Sequence, residues 1–144
     1  ELREDLTLEL SFNYTYTESA FQESFLSGFS QWGLVSRGDE LPYLPEHLGR
    51  VQIGLIASNW QVYASVKSQS EMREEPGRGD IDLGLHAESY TVLDISASMQ
   101  VNDHWEVQLL LQNSLDEEAI VSHRPFGARP NKPLTAIGRV KYSF

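Results

Sequence analysis

A chain of 144 residues is long enough for one domain with a real core, and its formal net charge of -10 argues against a nucleic-acid partner, whose phosphates call for a basic face. Cysteine is absent, which removes a disulfide framework and any thiolate metal site. No apolar run reaches the ~18–20 residues of a membrane helix, and the mean hydropathy of -0.36 suits a soluble protein or a membrane barrel alike, because barrel strands average apolar and polar positions.

The chain opens at Glu1 without an apolar leader, as a processed protein or an internal piece of a longer one would. The first predicted element runs from Leu6 to Thr17. Leu6, Leu8, Leu10, Phe12, Tyr14 and Tyr16 alternate with Thr7, Glu9, Ser11, Asn13, Thr15 and Thr17. A period of two makes a strand with one apolar and one polar face; a helix would place apolar residues three and four apart.

The rule returns along the chain. Val51, Ile53, Leu55 and Ala57 alternate with polar or small residues from Arg50 onward, until Ile56 breaks the pattern. Trp60, Val62, Ala64 and Val66 follow, then Leu93, Ile95, Ala97, Met99 and Val101. Trp105, Val107, Leu109 and Leu111 form the fifth strand, and Leu134, Ala136, Gly138, Val140, Tyr142 and Phe144 the sixth. Tyr63, Leu110 and Ile137 are apolar or aromatic where the rule asks for polar residues. Such strands and no helical pattern predict an all-β, antiparallel up-and-down meander.

Connections add a second regularity. Ser58-Asn59 and Asn102-Asp103-His104 are tight hairpin turns of suitable composition. The other connections, 18–50, 68–89 and 113–133, are long. Short turns on one rim and long loops on the other are a membrane-barrel arrangement. Trp60, Trp105, Tyr142 and Phe144 then fall near the short-turn rim, and Tyr14, Tyr16 and Tyr90 near the other. Aromatics at both strand ends read as two lipid-interface belts.

Alternation by itself fits two architectures. In a soluble sandwich the apolar face turns inward; in a large barrel it meets lipid and the polar face lines a lumen. Long loops on one side, and the mixed charges of Glu9, Arg50, Lys67, Asp94, Glu106, Arg139 and Lys141 on the polar face, favour the barrel. Single-chain barrels begin at about eight strands and plugged transporters use about 22, so further strands are expected outside these residues. A soluble all-β binding module and a barrel of another kind, a porin or an adhesin, are the alternatives.

Several stretches resemble the TonB-dependent receptors of the outer membrane. Gly38-Asp39-Glu40-Leu41-Pro42-Tyr43-Leu44-Pro45-Glu46-His47 is similar to their "G-x-x-L/V-P-Y-x-P-x-H" segment before a late barrel strand. Tyr90-Thr91-Val92-Leu93-Asp94-Ile95-Ser96-Ala97 resembles their "Y-x-V-x-D-x-x-A" strand. Arg124-Pro125-Phe126-Gly127-Ala128-Arg129-Pro130-Asn131-Lys132-Pro133 resembles the "R-P-x-G-x-R-P-G-x-P-R" loop, seen especially in receptors of the ferric dicitrate type, with Asn131 where Gly is common and Leu134 where the pattern ends in Arg. Leu115-Asp116-Glu117-Glu118-Ala119 replaces the usual "N-L-F-D-x-x-Y". The ending Gly138-Arg139-Val140-Lys141-Tyr142-Ser143-Phe144 is similar to the terminal strand read by the barrel assembly machinery, with Tyr142 and Phe144 as its signal.

The resemblance implies that residues 1–144 are the six C-terminal strands of a barrel of about 22 strands. It implies a receptor in the outer membrane of a Gram-negative bacterium, surrounded by lipid and coupled to TonB through a plug that these residues lack. It implies import of a ferric chelate, of siderophore or ferric citrate type, which is cargo; no cofactor is expected.

The search for chemistry returns little. His47, His86, His104 and His123 have neither metal-ligand spacing nor a nucleophile motif around them, so no catalytic residue, resident metal or enzyme activity is predicted. Glu71, Glu74, Glu75, Asp80 and Asp82 lack the pattern of a calcium loop and read as a solvated acidic loop. Arg124 and Arg129, with His123 and Lys132, lie in the last long loop. Guanidinium groups pair bidentately with carboxylates, so an anionic chelate would suit this set; the competing reading is that the arginines brace the loop against its neighbours.

Overall fold

The computed structural model describes residues 5–81, 84 and 86–144. Among them the chain forms strands and no helix. In order these are β1 (Thr7–Tyr16), β2 (Phe25–Leu26), β3 (Leu34–Val35), β4 (His47–Ile56), β5 (Trp60–Gln69), β6 (Met72–Arg73), β7 (His86–Ala87), β8 (Tyr90–Gln100), β9 (Trp105–Gln112), β10 (Ile120–Ser122), β11 (Arg129–Pro130) and β12 (Thr135–Tyr142).

The long strands make one six-stranded sheet in the order β1-β4-β5-β8-β9-β12. Each is antiparallel to the next long strand in the chain, the meander predicted from alternation. The short strands pair as β2-β3, β6-β7 and β10-β11, one ribbon inside each long connection. The connections are therefore folded hairpins, which period-two reading missed because ladders of two or three residues are too short to show a period.

Register assigns the faces. Residues opposite one another in an antiparallel ladder share a face. Leu10, Ile53, Ala64, Ile95, Leu111 and Ala136 follow one another across the whole sheet on one side. Asn13, Arg50 and Lys67, with Gln108 and Arg139, stand on the other. Among the described residues nothing covers the apolar side. Leu10 is 72 %, Phe12 69 % and Val140 63 % exposed. Among the described residues the fully buried apolar side chains are Val35, Ala87 and Ala119, all in ribbons or connections. A sandwich would have buried these strand residues under a second sheet, and exposing each Leu or Phe to water forgoes roughly 1.5–3 kcal/mol.

Some strand ends differ from the sequence reading. β4 starts at His47, ahead of the alternation, because Leu48-Gly49 break the pattern while still pairing with β1 and β5. β5 runs on to Gln69, and β12 ends at Tyr142, before Phe144. β8 starts at Tyr90, directly after the 68–89 connection, as expected.

Three of the alternation-breaking residues, Tyr63, Leu110 and Ile137, have a common location. Gly54, Tyr63, Ser96, Leu110 and Ile137 occupy one row across the polar face. Tyr63, Leu110 and Ile137 line a hollow of about 360 Å³ together with Ser98, Gln108 and Arg139. Tyr63 fits because its neighbour is glycine: a Cβ on Gly54 would lie 2.4 Å from Tyr63 Cε1. The ring crosses that gap, and its hydroxyl donates to Glu9 Oε2 at 3.0 Å. Packing an aromatic over a strand glycine in this way offsets the weakness of glycine in a ladder. In the intact protein, Gly54→Ala is expected to lower stability by about 1–3 kcal/mol, read as a lower Tm in detergent. The same change in a Tyr63→Ala background is expected to cost much less, since the ring it would strike is gone.

Candidate functional site

Register puts the long connections on one rim. Tyr16 pairs with His47, Gln69 with Tyr90 and Gln112 with Thr135 at that end of the sheet. The opposite rim carries the short turns: Ala57 N–H bonds Trp60 O, and Val101 N–H bonds Trp105 O.

The first and second connections are joined by charge. Asp39 is buried and accepts from the Ser36 N–H at 2.7 Å and from Arg78 Nε at 3.1 Å. Glu40 accepts from Arg73 Nε at 2.6 Å, and a backbone bridge links Glu40 to Gly77. A second nitrogen of Arg73 reaches the Gly79 carbonyl. Tyr43 sits at φ 58°, a left-handed backbone uncommon for a bulky residue. Its N–H donates to Arg73 O at 2.8 Å, which holds that conformation. The second and third connections meet where Glu88 N–H donates to Ile120 O at 2.8 Å and Ile120 N–H donates to Glu88 Oε2 at 2.6 Å.

All three connections reach Glu74. This carboxylate is 1 % exposed. Its Oε2 accepts from the Tyr43 hydroxyl at 3.2 Å and faces Arg124 Nε at 3.8 Å. Its Oε1 accepts from the His123 backbone N–H at 2.6 Å and touches His123 Nδ1 at 3.2 Å. Glu75, beside it, pairs with the same Arg124 guanidinium. A buried carboxylate is tolerated only when charge and donors converge on it, and here they come from separate segments.

Within the third connection Asn113 does similar work. It is 3 % exposed and sits at φ 50°, which asparagine tolerates better than most residues. Its Nδ2 donates to Glu117 O and Lys132 O, both at 2.9 Å, and its Oδ1 accepts from Glu117 N–H at 2.9 Å. Its own N–H donates to Asp94 Oδ1 at 2.9 Å, which fastens the loop to β8.

The residues named from sequence separate into groups. His123 and Arg124 are committed to Glu74 and Glu75. Arg129 lies in β11, exposed, with no hydrogen-bond or ion-pair partner for its guanidinium among the described residues. Lys132 Nζ reaches Gln112 Oε1. Phe126, 99 % exposed, tips the same turn. Tyr14 and Tyr16 flank His47 at the long-loop rim, with Tyr14 Oη 2.8 Å from His47 Nδ1. Trp105 and Tyr142 pair at the short-turn rim with ring centroids 4.7 Å apart, and Phe144 stacks edge-on against Tyr142. Trp60 is on the apolar face, opposite Met99. Tyr90 differs from its sequence assignment as a lipid-interface aromatic. It lies opposite Gln69, with Lys67 Nζ 5.8 Å from its ring centroid, and so stands on the polar face.

The acidic stretch also differs from expectation. Glu71 and Glu75 are about half-exposed, as a solvated loop would be, but Glu74 is sealed. Asp82 lies outside the described residues. No three His, Asp or Glu side chains among the described residues gather as a metal site would.

A one-layer antiparallel meander with an uncovered oily face, tight turns on one rim and folded loops on the other defines a piece of a membrane β-barrel. A family model described as "TonB dependent receptor-like, beta-barrel" matches residues 1–114, and the chain belongs to that family. Two solved structures share the fold. One is the siderophore receptor PiuA from Acinetobacter baumannii, at TM-score 0.70 and 18 % identity over 99 % of this chain. The other is the ferric-catecholate import receptor Fiu from E. coli K12 in its closed form, at TM-score 0.65 and 20 % identity over 95 % of this chain. The chain spans 20 % of the first and 19 % of the second. A search of curated proteins gave no match.

Asn113→Ala would delete three side-chain bonds and ask alanine to hold φ 50°. The expected cost is about 2–4 kcal/mol, confined to the third connection. Limited proteolysis of the whole receptor should then cut within 113–134 well before the strands.

Proposed function

We propose that this chain is the C-terminal part of an outer-membrane receptor that imports a ferric chelate into a Gram-negative bacterium. The observation that carries the reading is the sheet's oily face, exposed along its length with no second layer among the described residues, behind which stands a polar face of mixed charge. Lipid would cover the first face. A plug and further strands, to a total of about 22, would complete the second. TonB would supply energy through that plug. The barrel assembly machinery would insert the protein by its terminal strand.

The ligand class rests on the family and on the likeness to a siderophore receptor and a ferric-catecholate import receptor. Those proteins are transport receptors, and the role proposed is transport without catalysis; iron enters as cargo. Among the described residues Arg129 is a rim cation with a guanidinium free to meet an anionic chelate, as is that of Arg37 in the first connection, and Lys132 lies near Arg129 in sequence. His123 and Arg124 would contribute by holding that loop in place.

The test is uptake of radioactive iron, presented as ferric citrate or as a catecholate or hydroxamate chelate, by cells carrying the whole receptor. Uptake of one chelate that stops when tonB is deleted is the expected result; uptake indifferent to tonB would replace the reading with a passive porin. Arg129→Ala should weaken binding of the transported chelate by roughly 10–100-fold, the loss of a charge-assisted pair, with little change in Tm. For assembly, Tyr142→Ala combined with Phe144→Ala should reduce the folded receptor recovered from outer membranes several-fold. Wild-type recovery would remove the insertion role of these aromatics.

A further inference from the structure

We infer that Glu74 couples the rim connections, so that loosening the first connection at Tyr43 also loosens the third at His123, although the two do not bond to each other. Among the described residues no hydrogen bond or ion pair joins 18–46 directly to 113–134. Connection one meets connection two through Asp39–Arg78, Glu40–Arg73 and the Tyr43 N–H. Connection two meets connection three through Glu88–Ile120 and Glu75–Arg124. Glu74 is the one described residue that bonds to both the first and the third.

Its burial makes the bonds interdependent. An exposed carboxylate that lost a donor would take water in its place. At 1 % exposure Glu74 has no such substitute unless the surrounding segments part. Losing the Tyr43 hydroxyl therefore raises the cost of keeping the charge sealed, and that cost is relieved by opening the other side, where His123 N–H and Nδ1 close over Oε1. Arg124 Nε, buried and without a hydrogen bond, faces the same carboxylate at 3.8 Å and adds charge compensation from the third connection. The coupling must act both ways, since a free energy shared between two sites is reciprocal. Its use in import rests on the function proposed above: a ligand that ordered or opened one connection would bias the others.

The experiment is hydrogen–deuterium exchange on the whole receptor in detergent, without ligand. Tyr43→Phe removes only the hydroxyl. Exchange is expected to rise about tenfold at 119–124 as well as at 41–47, with β1, β4, β5, β8, β9 and β12 unchanged. His123→Ala should in turn raise exchange at 41–47. Arg78→Gln, which breaks the more exposed Asp39 pair, should affect 36–40 and leave 119–124 alone. Glu74→Gln keeps the shape and removes the charge, and should raise both segments together. A Tyr43→Phe effect confined to 36–47 and 70–76 would overturn the coupling, and so would a rise spread evenly through the long strands. Because no ligand is present, a receptor that shows the coupled rise yet imports no iron chelate would refute the proposed function and not this inference.

Discussion

An oily sheet face that none of the described residues covers sets the terms for everything else in this structure. In water such a face is unstable, and a soluble protein of this size would fold a second layer over it. Here the residues that might have done so lie in the connections, and those connections fold on the rim, clear of the face. Among the described residues the buried apolar side chains, Val35, Ala87 and Ala119, belong to the rim and not to the sheet. In the receptor proposed above, the sheet would depend on a hydrocarbon solvent outside and on strands beyond its two edges, since an open ladder in lipid leaves backbone groups without partners.

The polar face answers to a different constraint. Its charges are spaced and of mixed sign, with Arg50 bonded to Ser65 at 2.8 Å and Tyr63 to Glu9 at 3.0 Å. Three failures of the alternation rule fall in one row, so Tyr63, Leu110 and Ile137 form a local apolar hollow on a surface otherwise lined by Gln, Ser and Arg. Glycine at position 54 is the condition for that arrangement, because any other residue would put a Cβ into the ring.

The strands were legible because their signal is dense: β1 alternates without an error over its length, and hydrogen-bond pairing then follows chain order. Aromatic parity was legible too, and it shows where rim position alone misled. Tyr90 is an even-numbered residue in a strand whose apolar positions are odd, so alternation already placed it opposite Leu93 and Ile95; grouping it with Tyr14 and Tyr16 by height ignored its face. The rim was scarcely legible. Glu74 reads as one acid among several, and nothing local distinguishes it from Glu75; its burial comes from Tyr43 and His123, 31 and 49 residues away. Tyr43 was visible only inside a motif, whose resemblance marks a position without saying what the side chain touches; Arg124 was legible as a cation able to brace its loop, but not its partners Glu74 and Glu75. Asn113 gave a weaker cue, an asparagine just after a strand, a place where left-handed backbone is common.

A rim built this way has consequences that a hydrophobic one would not. Small apolar cores tolerate gradual loosening, since contacts are many and individually weak. A sealed carboxylate is nearer to all-or-none: its donors are few, directional and expensive to lose. Replacing Glu74 and its partners by well-packed apolar residues could leave the loops as stable or more so, but it would remove the discreteness. What the buried charge contributes is thus one defined arrangement of connections drawn from distant parts of the sequence, and a defined way of leaving it. In the import function proposed above, loops that admit a ligand and present it to a pore would need both properties. The placement of the only fully buried carboxylate at the junction of all three connections, and not within any one of them, is what ties the local chemistry of Glu74 to the behaviour of the whole rim among the described residues.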